Sequence, residues 1–116
     1  MEQATLYDTS AVIELVARRR RRLVPGAVTI LTVVEYPPAA RYALEIVYPG
    51  KRDYALAVKW QALLRRRGSP LPAIDLVIAA VAYNRGMELV TLDKHFNVIR
   101  EVEPGLRLKM SLGEEE

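Results

Sequence analysis

Apolar positions along this chain switch between a period of two and a period near 3.6, and the switching predicts strands alternating with helices. Ala4-Thr5-Leu6-Tyr7 reads as a short strand, and Asp8-Thr9-Ser10 supplies side-chain oxygens that cap a helix start. Val12, Ile13, Val16 and Ala17 then recur at helical spacing, and the run Arg18 to Arg22 closes that helix at the end where its dipole favours cations. Pro25-Gly26 breaks the chain, and Ala27 to Leu31 reads as a buried, β-branched strand. Thr32-Val33-Val34-Glu35 has the spacing of a capping box, so a second helix begins at Thr32 and carries Glu35 in its first turn. Pro37-Pro38 forces a kink or a restart there.

Leu44 to Tyr48 is the next strand, closed by Pro49-Gly50. Asp53 to Arg67 has the apolar stripe Ala57, Trp60, Leu63 and Leu64 of an amphipathic helix stopped by Gly68. A further helix spans Ala73 to Arg85 with Gly86 at its C′ position, followed by a strand over Met87 to Val90 and a last one over Leu106 to Met110. Strands and helices alternating at this pitch require crossover connections. The expected fold is therefore an α/β class, three-layer α/β/α sandwich with a central, mostly parallel sheet covered on both faces. At 116 residues the chain suits one domain, over 1–112, with 113–116 as a disordered acidic tail.

Composition narrows the chemistry. Cysteine is absent and His95 is the single histidine, so thiolate chemistry and a multi-histidine zinc centre are excluded. Any metal must be a hard cation held by oxygen. The start lacks the pattern of a secretory signal and no apolar run reaches the ~20 residues of a spanning helix, so a cytoplasmic protein with no membrane contact is expected. The net charge of +3 hides an asymmetry: setting aside Glu114 to Glu116 leaves 17 cations against 11 acids, a net +6, concentrated in Arg18 to Arg22 and Arg65 to Arg67. Such a surface attracts polyanions, nucleic acid first among them, although arginine runs also end helices and keep small proteins soluble.

A parallel sheet places its ligands beyond the carboxyl ends of its strands. Four acids fall there: Asp8 after the first strand, Glu35 after the second, Asp75 in the first turn of the Ala73–Arg85 helix, and Asp93 after the Met87–Val90 strand. Taken singly, each is explained as a helix cap. Asp75, however, interrupts Ile74-Asp75-Leu76-Val77-Ile78-Ala79-Ala80-Val81-Ala82, a segment apolar enough to be buried throughout, where no cap is needed. Four carboxylates at one rim repel and raise each other's pKa unless a cation joins them. A divalent ion would remove that repulsion and admit a phosphate, with the arginines holding the rest of the backbone.

These residues resemble the PIN domains. Leu6-Tyr7-Asp8-Thr9-Ser10-Ala11-Val12-Ile13 is similar to their opening signature, Thr32 and Glu35 to their middle motif, and Asp75 to Ala82, Gly86 and Leu89 to Phe96 to their C-terminal half. The small size is similar to the VapC toxins of toxin–antitoxin pairs. The resemblance implies a Mg²⁺- or Mn²⁺-dependent endoribonuclease in which Asp8, Glu35, Asp75 and Asp93 bind metal, with Thr9 or Thr91 hydrogen-bonding a carboxylate, a water or a phosphate oxygen. Arg18, Arg19, Arg20, Arg21 and Arg22 would contact the RNA substrate, and a small antitoxin and a homodimer are the implied protein partners. The span between Glu35 and the Leu44–Tyr48 strand is shorter than is usual for VapC-like proteins. His95 is expected in a solvent-exposed or stacking role and not as a ligand, and Trp60 and Tyr83 in the core. Receiver domains and haloacid-dehalogenase-like phosphatases share the topology but fail on their own motifs, since Asp8 leads Thr9-Ser10 and the third strand ends at Tyr48-Pro49. The remaining alternatives are a non-catalytic RNA- or protein-binding module and a housekeeping RNA-processing nuclease.

Overall fold

The computed structural model describes residues 4–19 and 24–112, so Arg20 to Arg22 and the 113–116 tail lie outside the described residues. In chain order the elements are β1 (Thr5–Tyr7), α1 (Thr9–Arg19), β2 (Val24–Thr29), α2 (Ile30–Glu35), α3 (Ala39–Tyr42), β3 (Ala43–Val47), α4 (Lys51–Arg66), α5 (Ala73–Asn84), β4 (Glu88–Val90), a 3₁₀ helix (Lys94–Glu101) and β5 (Leu108–Lys109). The five strands form one sheet in the order β3-β2-β1-β4-β5, and every pairing is parallel. The fold is thus the expected α/β/α sandwich. No helix among the described residues is long and apolar enough to cross a membrane.

Strand periodicity divides the core in two. Successive side chains point to opposite faces, so Leu6, Ala27 and Leu89 pack beneath α4, α5 and the 3₁₀ helix, with Trp60, Leu64, Ile78, Phe96 and Ile99. Val24, Val28 and Val90 pack on the other face against Ala11, Val12 and Leu15 of α1 and Ala39 of α3. Helix α5 is apolar almost all round because it is enclosed: Leu76 to Ala82 are buried without interruption. Each fully buried leucine or isoleucine there contributes about 1.5–3 kcal/mol by leaving water. Trp60 is buried, the expected core role, and meets the edge of Tyr83 at 5.7 Å between ring centroids; Tyr83 itself is 38% exposed, so it borders the core near the end of α5 and does not lie within it as expected.

Several boundaries differ from the sequence reading, each for a local reason. Pro25-Gly26 does not break the chain. β2 runs through both residues, and its register against β3 shifts between Val24 and Ala27, which absorbs the proline's missing donor. Gly26 is required there because a Cβ would stand 2.7 Å from the Thr5 carbonyl oxygen of β1. Helix α2 starts at Ile30 and not at Thr32: Thr29 is its cap, its hydroxyl accepting from the Thr32 N–H at 3.3 Å. Glu35 therefore closes α2 and is not in its first turn. Pro37-Pro38 then permits a restart as α3, as expected of prolines at a helix entry. On α1 the buried stripe is Ala11, Val12 and Leu15, while Ile13 and Ala17 face solvent. Helix α4 begins two residues early, at Lys51; the last strand shrinks to Leu108–Lys109; and the 3₁₀ helix was not foreseen. Gly68 and Gly86 end α4 and α5 at φ +79° and +65°, the left-handed backbone that favours glycine.

Candidate active site

The strand order locates the site. The chain steps outward from β1 to β2 and β3, then returns to the other side of β1 for β4 and β5, so the order reverses between β1 and β4. That switch point opens a crevice beyond the strand ends. Asp8 leaves β1 and Thr91 to Asp93 leave β4 directly over it, with Asp8 N–H donating to the Val90 carbonyl at 3.1 Å.

Asp8 is buried, 4% exposed, and its carboxylate is fully oriented. Oδ1 accepts from the Ala11 N–H at 3.0 Å, which caps α1, and from the Ser10 hydroxyl at 2.8 Å. Oδ2 accepts from the buried Thr91 hydroxyl at 2.7 Å. Burial raises the Asp8 pKa, the bonds from Ala11, Thr91 and Ser10 oppose the rise, and the charge of Asp93 adds to it. Thr91 in turn accepts from the Asp93 N–H at 2.9 Å, and Ser10 accepts from the Leu92 N–H at 3.1 Å, so the two loops of the crevice are cross-braced.

Asp93 caps the 3₁₀ helix. Its Oδ1 accepts from the His95 N–H at 2.9 Å and lies 3.0 Å from Nδ1 of the same residue, whose side chain is 73% exposed. Glu35, at the end of α2, is reached from β1's side by Thr9: the Thr9 hydroxyl lies 2.5 Å from Glu35 Oε1 and 3.1 Å from the buried Thr32 hydroxyl. With one hydrogen to give, Thr9 donates to the carboxylate.

Asp75 is different from the other three. It enters from α5 at the third helical position, yet α5 has no side-chain cap, and no described residue donates a hydrogen bond to its carboxylate. Burial is the largest cause of its pKa of about 6, followed by the charges of Asp93, Asp8 and Glu35, with His95 opposing. The charges of the other three sequence-selected acids therefore all reach Asp75 across this rim. Among the described residues no three acidic or histidine side chains stand close enough to grip a metal ion.

The sequence reading placed Asp8, Thr9, Thr32, Glu35, Asp75, Thr91 and Asp93 here but passed over Ser10 as a bond partner; its hydroxyl two residues after Asp8 was the available signal. It also passed over Asp53, a second buried acid, in the first turn of α4 beside the Asn84 end of α5. There burial works against the charged form, but bonds from Asn84 (2.8 Å), the Gly50 N–H (2.8 Å) and Arg85 (3.0 Å) outweigh it and hold the carboxyl below its usual value. Asp53 is thus a neutralised tie between α4 and α5, and its lowered pKa sets it apart from the rim acids. Arg18 pairs with Glu14 at 2.9 Å; the side chain of Arg19, like Arg20 to Arg22, lies outside the described residues.

Comparison with known proteins agrees with this fold. The PIN domain family matches residues 32–102, more than half of the chain, including Glu35, Asp75 and Asp93 and leaving Asp8 outside the matched span. The chain belongs to the PIN domain family. No curated protein matches it. Among solved structures, VapBC-1 from nontypeable Haemophilus influenzae is 22% identical with TM-score 0.68, the match covering 92% of this chain and 97% of that one. DNA-bound VapBC from Salmonella typhimurium is 21% identical with TM-score 0.70, over 93% and 98%. VapBC-5 from Mycobacterium tuberculosis, a member of the VapBC family of toxin–antitoxin systems, is 21% identical with TM-score 0.64, over 93% and 97%. At these identities the likeness establishes that the PIN fold is shared over nearly the whole chain.

Proposed function

We propose that this PIN domain is a metal-dependent endoribonuclease that hydrolyses RNA phosphodiester bonds, acting in the cytoplasm as the toxin of a toxin–antitoxin pair. The observation that carries the reading is Asp75. It is half-buried, stands at about 6, faces three other carboxylates and receives no hydrogen bond from any described residue. Folding alone disfavours such a group, and perturbed acids in a crevice mark sites of chemistry. A cation relieves it, and an all-oxygen donor set suits Mg²⁺ or Mn²⁺.

Asp8, Asp75, Asp93 and Glu35 are the residues that would hold the ion. Because no three of them converge, one or two carboxylates would bind it directly and water would complete the shell, the usual arrangement for Mg²⁺. A bound divalent ion supplies charge neutralisation and a more acidic water. The chain's own part is positioning. Thr91, Ser10 and the Ala11 N–H fix both oxygens of Asp8, Thr9 fixes Glu35, and the His95 N–H fixes Asp93, so the rim presents its charges without further ordering on substrate arrival. Water attacks phosphorus in line with the departing 3′ oxygen, and no covalent nucleophile takes part.

The likeness to VapBC structures supports the toxin role. An antitoxin would lay a cationic side chain into the acidic rim, relieving the same repulsion as the metal. A homodimer belongs to the same reading and is measured by light scattering of the purified chain. The test of the enzyme is fluorescent RNA incubated with Mg²⁺ or Mn²⁺. Cleavage that is lost with EDTA and with Asp93→Asn supports the assignment. Cleavage that survives both, or none with either ion, overturns it.

A further inference from the structure

Arg18 and Arg19, the described part of the arginine run, stand at the far end of α1 from the crevice. Helix α1 starts at the crevice, where Asp8 caps it, and carries Arg18 and Arg19 away along its axis by about 15 Å at 1.5 Å per residue. Arg18 is also paired with Glu14.

Two lysines stand much closer. Lys94 follows Asp93 directly, at the first position of the 3₁₀ helix. Lys109 is the last residue of β5, in register with Val90, and its carbonyl accepts the Thr91 N–H at 3.0 Å, two residues before Asp93. Both side chains are exposed, and neither has a carboxylate or carbonyl partner among the described residues, although four acids share the rim. Cations left unpaired beside carboxylates are available to a second anion, and a long lysine stem delivers a point charge to a phosphate without demanding fixed geometry.

We infer that Lys94 and Lys109 hold the RNA backbone beside the acidic rim, so that the strand enters over the β4–β5 side of the crevice and not along α1. This rests on the nuclease reading, and it assigns the phosphate contacts of that site. Phosphate contacts of this kind set affinity and its salt dependence, with no preference for base sequence.

The experiment measures binding of a fluorescent single-stranded RNA in EDTA, where no cleavage occurs, as a function of KCl concentration. Each phosphate contact in a single-strand complex contributes about 0.7 to the slope of log affinity against log salt. The double variant Lys94→Ala/Lys109→Ala should reduce the slope by about 1.4 and weaken binding about 25-fold at 0.1 M salt. Lys59→Ala, which removes an equally exposed charge from the middle of α4, should leave the slope unchanged. Circular dichroism of the double variant should match wild type, since both side chains are in solvent. A wild type that cuts RNA while the double variant keeps the full slope overturns the assignment and leaves the nuclease standing. A Lys59→Ala loss as large as that of the double variant overturns it too, as general electrostatics. A wild type that neither binds nor cuts RNA overturns both readings.

Discussion

Replacing Asp75 by asparagine should make the protein more stable and inactive. An acid with an ordinary value of 3.8 that stands at about 6 in the fold binds its proton more tightly when folded. Ionising it therefore costs stability: the penalty is absent below about pH 4, grows as pH rises toward 6 and is complete by pH 7.5. The shift corresponds to about 3 kcal/mol, and solvent screening of a half-buried group lowers that to about 1–2 kcal/mol. Asparagine has the same shape, forfeits no hydrogen bond from a described residue, and turns a repelled oxygen into an amide donor facing carboxylates. Thermal unfolding in EDTA should show Asp75→Asn melting about 4–8 °C above wild type at pH 7.5, with the gap closing toward pH 4. Cleavage should fall by at least about 100-fold, the usual trade between stability and a strained site. A variant that melts lower than wild type at pH 7.5, or whose gain is the same at pH 4, would show that Asp75 is an ordinary structural acid.

Two further substitutions separate capping from chemistry. Asp8→Asn keeps an oxygen for the Ala11 N–H, so it should fold and lose cleavage, whereas Asp8→Ala removes the α1 cap and strands the Ser10 and Thr91 hydroxyls, costing about 1–3 kcal/mol in urea unfolding. Asp53→Ala leaves Asn84, Arg85 and the Gly50 N–H without their acceptor and should cost about 2–3 kcal/mol while the folded fraction cuts RNA at the wild-type rate. Because the Asp53 carboxyl sits below its usual value, its contribution is present above about pH 4 and is lost as pH falls further. Urea titrations of wild type and Asp53→Ala should converge at low pH.

How much of this was legible depends on range. The strands, the long helices and the glycine stops follow from local periodicity and backbone freedom, and the parallel sheet follows from their alternation. The rim acids were legible because a parallel sheet has a fixed ligand end, and Asp75 stood out against its apolar run. What was lost depended on neighbours in space. Pro25-Gly26 looks like a break until β1 is alongside, where the close approach of the Thr5 carbonyl demands glycine. Thr29 and Thr32 are equally good caps by type, and only the fold shows that the earlier one accepts the N–H. Phe96 and Ile99, three apart, carried the period of the 3₁₀ helix, but the segment is too short for periodicity to declare itself. The arginine run announced charge and not direction, and α1 carries its described members, Arg18 and Arg19, to the end away from the crevice.

The central claim is that the rim of Asp8, Glu35, Asp75 and Asp93 takes up a divalent cation, held directly by one or two of these carboxylates and favoured by the charge of the rest. Titration of Mn²⁺ into the protein, followed by electron paramagnetic resonance of the free ion, tests it without RNA. Wild type should take up Mn²⁺, with affinity reduced at least about 10-fold in Asp75→Asn and Asp93→Asn and unchanged in Lys94→Ala. Equal uptake by wild type and both acid variants would contradict the account.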